Sequence, residues 1–173
     1  MELLIALLIS NQLTFISLNT ICVNLNDMSM TVKIINKSNN PNPEYKTPGS
    51  SGMDVRAFMS SPLEIQSLDR ALVKTGIFLE MDESIECQVR PRSGLALKKG
   101  ITVLNTPGTI DADYRGELGV ILMNQSKETV VIHSGDRIAQ LVFAKVEKVK
   151  LVNVTDVNVT KRGDGGFGST GIK

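Results

Sequence analysis

Residues 128–145 read "ETVVIHSGDRIAQLVFAK", two β-branched and apolar runs on either side of a polar Ser-Gly-Asp turn. The first run alternates, which puts His133 among its surface residues. The second is apolar apart from Gln140. Paired runs of this kind, punctuated by a glycine turn, are the sequence signature of strands. Outward from here the pattern recurs. Toward the N-terminus stand "TVKIIN", "MDVRAF", "LEIQSL", "ALVKTGIFLEM", "SIECQVRP", "ITVLN" and "ELGVILMN", and after Gln140 the apolar run extends as "RIAQLVFAKVEKVKLVNV" to residue 154. Strands at intervals of about eight to twelve residues with Pro, Gly and Asn between them predict an all-β sandwich, barrel or jelly roll. One short helix is expected at "SGLALKKG", with Ser93 as its cap and Gly100 as its stop. No long amphipathic helix and no fixed-period repeat is present, so coiled coils and solenoids are excluded.

Bulk composition narrows the function classes. The 173 residues are 42% hydrophobic and 21% charged, an ordinary globular balance for one domain with a real core. A formal net charge of +1 gives no general attraction to nucleic acid or to an anionic membrane, and 4% aromatic residues make stacking on single strands a poor fit. Two cysteines, Cys22 and Cys87, cannot form a disulfide framework, and His133 as the only histidine rules out a zinc set or a histidine-based triad.

Residues 1–29 form an N-terminal extension that we expect to lie outside the fold. The apolar opening "MELLIALLIS" is short for a spanning helix and carries Glu2 where a secretion signal carries positive charge. Met28 and Met30 offer later starting points, and the extension is read as an upstream start. A cytoplasmic location is the expectation. Sequons beginning at Asn36, Asn124, Asn153 and Asn158 are then coincidental.

Five stretches carry chemistry. In "SSGMDVRA", Asp54 is either a turn aspartate or a group beside a metal. In "RPRSGLA", Arg92, Ser93 and Gly94 stand at a strand-to-helix junction, where backbone N–H groups, a hydroxyl and a guanidinium suit a phosphate oxygen; a plain cap and a solvated arginine are the alternative. In "LNTPGTIDADYRGE", Asp111, Asp113 and Glu117 crowd a turn with Tyr114 and Arg115. A carboxylate fixed there could orient and deprotonate water, or the acids could be a solvated turn. Gln140 in "GDRIAQL" could donate to a ligand or merely edge a strand. Last, "RGDGGFGSTG" at 162–171 contains G-x-G-x-x-G and comes close to a phosphate loop. It has neither the following helix and strand of the former nor the lysine of the latter, since Ser169 stands there. It is a disordered tail or an anion-binding flap, rich in N–H donors.

Together, in this order and spacing, the five stretches resemble the motifs of the trimeric dUTP pyrophosphatase (dUTPase) family over about residues 31–171. The resemblance implies a distorted jelly roll or β-barrel-like sandwich over residues 30–161 and a flexible C-terminal arm over 162–173. Three copies would form a three-fold homotrimer with its active sites at subunit interfaces. It implies hydrolysis of dUTP to dUMP and pyrophosphate with Mg2+, with Asp111 as the base that orients the attacking water and Asp54 holding a water of the metal. Arg92, Ser93, Gly94 and Gln140 would line the phosphate path. Asn105 and the backbone from Gly108 through Thr109 and Ile110 to Tyr114 would read uracil, with Tyr114 packed where a ribose 2′-hydroxyl would sit. Arg162, Ser169 and Thr170 would meet phosphate oxygens, Phe167 would cover the uracil ring, and Gly168 would let the arm wrap. Two other readings compete: a dCTP deaminase of the same fold, which would release ammonia, and a non-catalytic nucleotide sensor, in which Asp111 would be dispensable.

Overall fold

The computed structural model describes residues 30–167 and 169, together with the backbone of two strands, β1 (Ile5–Ile9) and β2 (Gln12–Ile16). These two pair antiparallel with each other and join no other sheet among the described residues.

Eleven further strands follow among the described residues: β3 (Lys33–Asn36), β4 (Met53–Arg56), β5 (Leu63–Ile65), β6 (Arg70–Lys74), β7 (Ile77–Glu80), β8 (Ile85–Arg90), β9 (Ile101–Val103), β10 (Gly108–Ile110), β11 (Gly119–Asn124), β12 (Val130–Ile132) and β13 (Arg137–Lys145). The single helix among them, α1, spans Ser93–Lys99. The strands form a four-stranded sheet in the order β10-β8-β13-β4, a three-stranded sheet β6-β11-β9, and the two-stranded pairs β12-β5 and β3-β7, every pairing antiparallel. The all-β expectation holds.

Period-two patterning explains the layers. Along β8, Ile85, Cys87 and Val89 are buried and the residues between them are not; along β11, Val120, Leu122 and Asn124 are the buried set. Side chains alternate across a strand, so each sheet offers one apolar face. Val55, Val73, Ile101, Leu118, Ile138 and Leu141 meet between those faces, each at 1% exposure or less. Each such aliphatic side chain contributes about 1.5–3 kcal/mol relative to exposure. Asn124 is a buried polar exception and is fully bonded, its amide donating to the Ile65 and Glu128 carbonyls while its oxygen accepts from Ser126. A side chain so enclosed is no glycan acceptor in the folded chain.

Several boundaries differ from the sequence reading. The run "ALVKTGIFLEM" is two strands, because Gly76 takes φ 72° and turns the chain between β6 and β7. There a Cβ would lie 2.9 Å from Ser38, so only glycine fits. Ser93 is the first residue of α1 and not its cap: Arg92 holds the capping position in extended conformation with no side-chain cap bond, while Gly100 ends the helix at φ 65° as expected. The long final run stops pairing at Lys145. Val149, Leu151, Val152 and Val154 continue the apolar pattern but are 66–90% exposed, since no strand among the described residues pairs with them.

Candidate active site

The four-stranded sheet gathers three of the motif residues. Gln140 on β13 pairs across the sheet with Asp54 on β4 and, on its other side, with Arg90 on β8. Arg92 leaves β8 just past Arg90 and folds back. Its Nε donates to Asp54 Oδ1 at 2.6 Å and its Nη2 to Oδ2 at 3.4 Å. Arg137 Nη1 donates to the same Oδ2 at 3.0 Å. Asp54 is therefore a carboxylate shared by two guanidinium groups, with its side chain 21% exposed. One carboxylate against two arginines leaves the cluster with a net positive charge, which suits an anion.

Beside this cluster a cleft is lined by Arg90, Pro91, Ser93, Thr106, Pro107 and Gln140. Gln140 Nε2 donates one hydrogen to the Pro91 carbonyl at 2.9 Å, and its second hydrogen has no partner among the described residues. Ser93 and Gly94 occupy the first turn of α1, whose leading N–H groups have no partner within the helix. A Cβ on Gly94 would meet nothing within 4 Å, so packing within the chain does not demand glycine there. Asn105 lies against Gly108, where a Cβ would come within 3.1 Å of its side-chain nitrogen.

The acidic hairpin is a different story. Glu117 is tied into the fold: its Oε1 accepts the Gly76 N–H at 2.9 Å, and its Oε2 lies 3.7 Å from Lys74 Nζ. Tyr114 donates its hydroxyl to the Glu117 carbonyl, and Arg115 donates to the Ala112 carbonyl, so both shape the turn. Asp111 is exposed, and its carboxylate has no partner among the described residues. Of the three acids, Asp111 and Asp113 are free for chemistry and Glu117 is structural.

Within one chain Asp111 and the cationic cluster are far apart. Ile110 pairs with Cys87, three residues along β8 from Arg90, and β10 lies three strands from β4. Strand spacing and rise place the Ile110 and Asp54 backbones about 17 Å apart, and Asp111 continues away from the cluster. The arm is also separate. Arg162 Nε bonds the Gly165 carbonyl at 2.8 Å, Ser169 N bonds the Gly166 carbonyl, and Phe167 is wholly exposed. Gly168 and Thr170 lie outside the described residues.

Sequence reasoning missed Arg137 and Arg90. Arg137 stands three positions before Gln140, a spacing that would put the two on opposite faces of a regular strand. Among the described residues no group of three or more His, Cys, Asp or Glu side chains is placed to hold a metal directly, and no helix is long and apolar enough to cross a membrane.

The fold and the cleft define an all-β domain of jelly-roll type with an anion-suited pocket at one end of a sheet. The dUTPase family model matches residues 38–171, and the chain belongs to the dUTPase family. It is 54% identical over 150 residues to the deoxyuridine 5'-triphosphate nucleotidohydrolase of Cytophaga hutchinsonii, covering 87% of this chain and 97% of that protein. It is 61% identical over 133 residues to the enzyme of the same name from Aquifex aeolicus, covering 77% and 89%. In fold it is similar to the dUTPase of Staphylococcus bacteriophage 80alpha, solved with dUpNHpp, at TM-score 0.71 and 24% identity over 82% of this chain and 99% of that one. A mutant dUTPase of the S. aureus phage phi11, described with a structural Mg(II) ion, is similar at TM-score 0.66 and 22% identity over 73% and 98%.

Proposed function

We propose that the protein hydrolyses dUTP to dUMP and pyrophosphate in a site that more than one copy of the chain completes. The observation that carries the reading is the pairing of an anion-suited cluster, Asp54–Arg92–Arg137 beside Gln140, with an unpartnered carboxylate, Asp111, held about 17 Å or more away in the same chain. A water-activating base must lie within hydrogen-bond reach of its water and that water within reach of phosphorus. At that separation Asp111 is out of reach of the Asp54–Arg92–Arg137 cluster of its own chain, and in this reading a neighbouring copy brings its Asp111 there. A three-fold homotrimer, as the family resemblance implies, closes such a site symmetrically.

In this reading Arg92, the free N–H groups of Ser93 and Gly94, and the second amide hydrogen of Gln140 bind the triphosphate and stabilise charge that builds on it during displacement. Asp111 of the adjoining copy takes the proton from the water attacking the α-phosphorus. Asn105 and the backbone from Gly108 through Thr109 and Ile110 to Tyr114 read uracil, and a pocket built to pair those polar atoms rejects cytosine by leaving them unpaired. Tyr114 packs on the deoxyribose. The arm supplies Arg162, Ser169 and Thr170 to the phosphates and Phe167 to the base, with Gly168 giving it freedom to wrap.

Mg2+ fits as a metal held mainly by the substrate. The donor set supports this: Asp54 is already shared by two guanidinium groups and has no second carboxylate beside it among the described residues, so it can accept from a metal-bound water but cannot anchor the ion. When bound, Mg2+ supplies neutralisation of the phosphates. A cytoplasmic setting belongs to the same proposal.

The test is pyrophosphate release from dUTP, dTTP, dCTP and UTP in parallel, with Asp111→Asn as the control. Turnover confined to dUTP and lost in the variant is the expected result. Ammonia release from dCTP, or tight dUTP binding without turnover in the parent protein, overturns the reading.

A further inference from the structure

We infer that Arg137 is a positioning residue that, through Asp54, leaves Arg92 free to serve the triphosphate; the inference rests on the reading of the cleft proposed above. The register of β13 against β4 supplies the first argument. Arg137 pairs with Arg56 and Ala139 with Val55, so two residues on β13 oppose one on β4: the strand carries a bulge. Ile138 and Ala139 are consecutive and both buried, at 1% and 0% exposure. Without the extra residue, Arg137 and Gln140 would project to opposite faces of the sheet. With it, both stand on the face of Asp54, and Arg137 Nη1 reaches the carboxylate at 3.0 Å.

The second argument is electrostatic. Asp54 grips Arg92 at 2.6 Å, and a one-to-one pair of this kind is neutral and spends the guanidinium on the carboxylate. Arg137 adds a second cation to the same oxygen that Arg92 Nη2 approaches only at 3.4 Å, so it competes for Oδ2. Its carbonyl also accepts Arg92 Nη1 at 3.3 Å and fixes the plane of that guanidinium. The three side chains then carry one net positive charge in a rigid frame. Removing Arg137 returns the cluster to neutrality and lets Arg92 close fully on Asp54.

The experiment is a double-mutant cycle on the full-length protein, comparing Arg137→Gln with and without Asp54→Asn. Two readouts are taken: dUTP steady-state kinetics, and binding of inorganic tripolyphosphate by calorimetry. Arg137→Gln alone raises KM for dUTP and weakens tripolyphosphate on the order of tenfold, as loss of a charge-assisted contact does, with a much smaller change in kcat. Arg137→Lys restores part of the loss. In the Asp54→Asn background the same substitution changes both quantities by less than about twofold, because the carboxylate it acts through is gone. An equal effect in both backgrounds, or no effect in the parent, overturns the inference, and thermal unfolding of each variant separates these outcomes from simple misfolding. If the parent neither turns over dUTP nor binds tripolyphosphate, the proposed function itself falls and the inference with it.

Discussion

Arg92 reaches Asp54 with two nitrogens, Nε to Oδ1 at 2.6 Å and Nη2 to Oδ2 at 3.4 Å, across 38 residues of sequence. A planar fork can do this and an ammonium cannot. Arg92→Lys therefore keeps the charge and loses the geometry. The expected outcome is a loss of about 1 kcal/mol in stability, discounted for partial exposure, and a rise in KM for dUTP on the order of tenfold. Urea unfolding and steady-state kinetics check the two separately.

Glu117 and Asp111 stand in one acidic stretch yet should respond to substitution in opposite ways. Glu117→Ala leaves the Gly76 N–H without its acceptor and should cost about 1–2 kcal/mol, the penalty for a partly buried orphaned donor. Asp111→Ala touches no bond among the described residues and should stay within about 0.5 kcal/mol of the parent, while abolishing turnover. Paired melting curves and rate assays test the contrast; a large stability loss in Asp111→Ala would show that its carboxylate holds the fold.

Removing residues 162–173 should leave the unfolding transition where it is. The described part of that arm bonds only within itself and to nearby Thr160, so the β-sheets lose nothing. Turnover should fall on the order of a hundredfold or more, as misplacing a closing segment does. Full activity in the shortened protein would remove the arm from the site.

Burial pushes the Cys87 thiol up to about 12 from an ordinary 9.0, with the Glu86 carboxylate adding to the effect. The native state holds this proton where the unfolded chain releases it, so stability falls as pH rises from 9.0 to about 12. Cys87→Ala, less stable at neutral pH because it leaves a void, should close its gap to the parent by about 1.4 kcal/mol for each pH unit above about 9. Native Cys87 should also resist a thiol reagent until the protein unfolds. Ready modification of Cys87 in the folded protein at a pH of about 8, below the ordinary thiol range, would contradict the buried, protonated thiol.

The sequence by itself determined the all-β pattern, though not the break at Gly76 or the end of the last strand at Lys145, together with the short helix and its Gly100 stop and the five stretches that resemble the family's motifs. These are local matters: period-two burial, a left-handed glycine and a donor-rich loop are written in consecutive residues. Only the tertiary structure separated Glu117 from Asp111, since Glu117 is structural by virtue of Gly76, 41 residues away. Only the β13 bulge brought Arg137 to Asp54, across 83 residues, by adding one position that no alternating pattern reveals. The register along β10, β8, β13 and β4 decided that Asp111 lies far from the Asp54–Arg92–Arg137 cluster of its own chain. Hydrogen-bond register between strands depends on the whole sheet, so the distance between two motifs was never present in either motif alone.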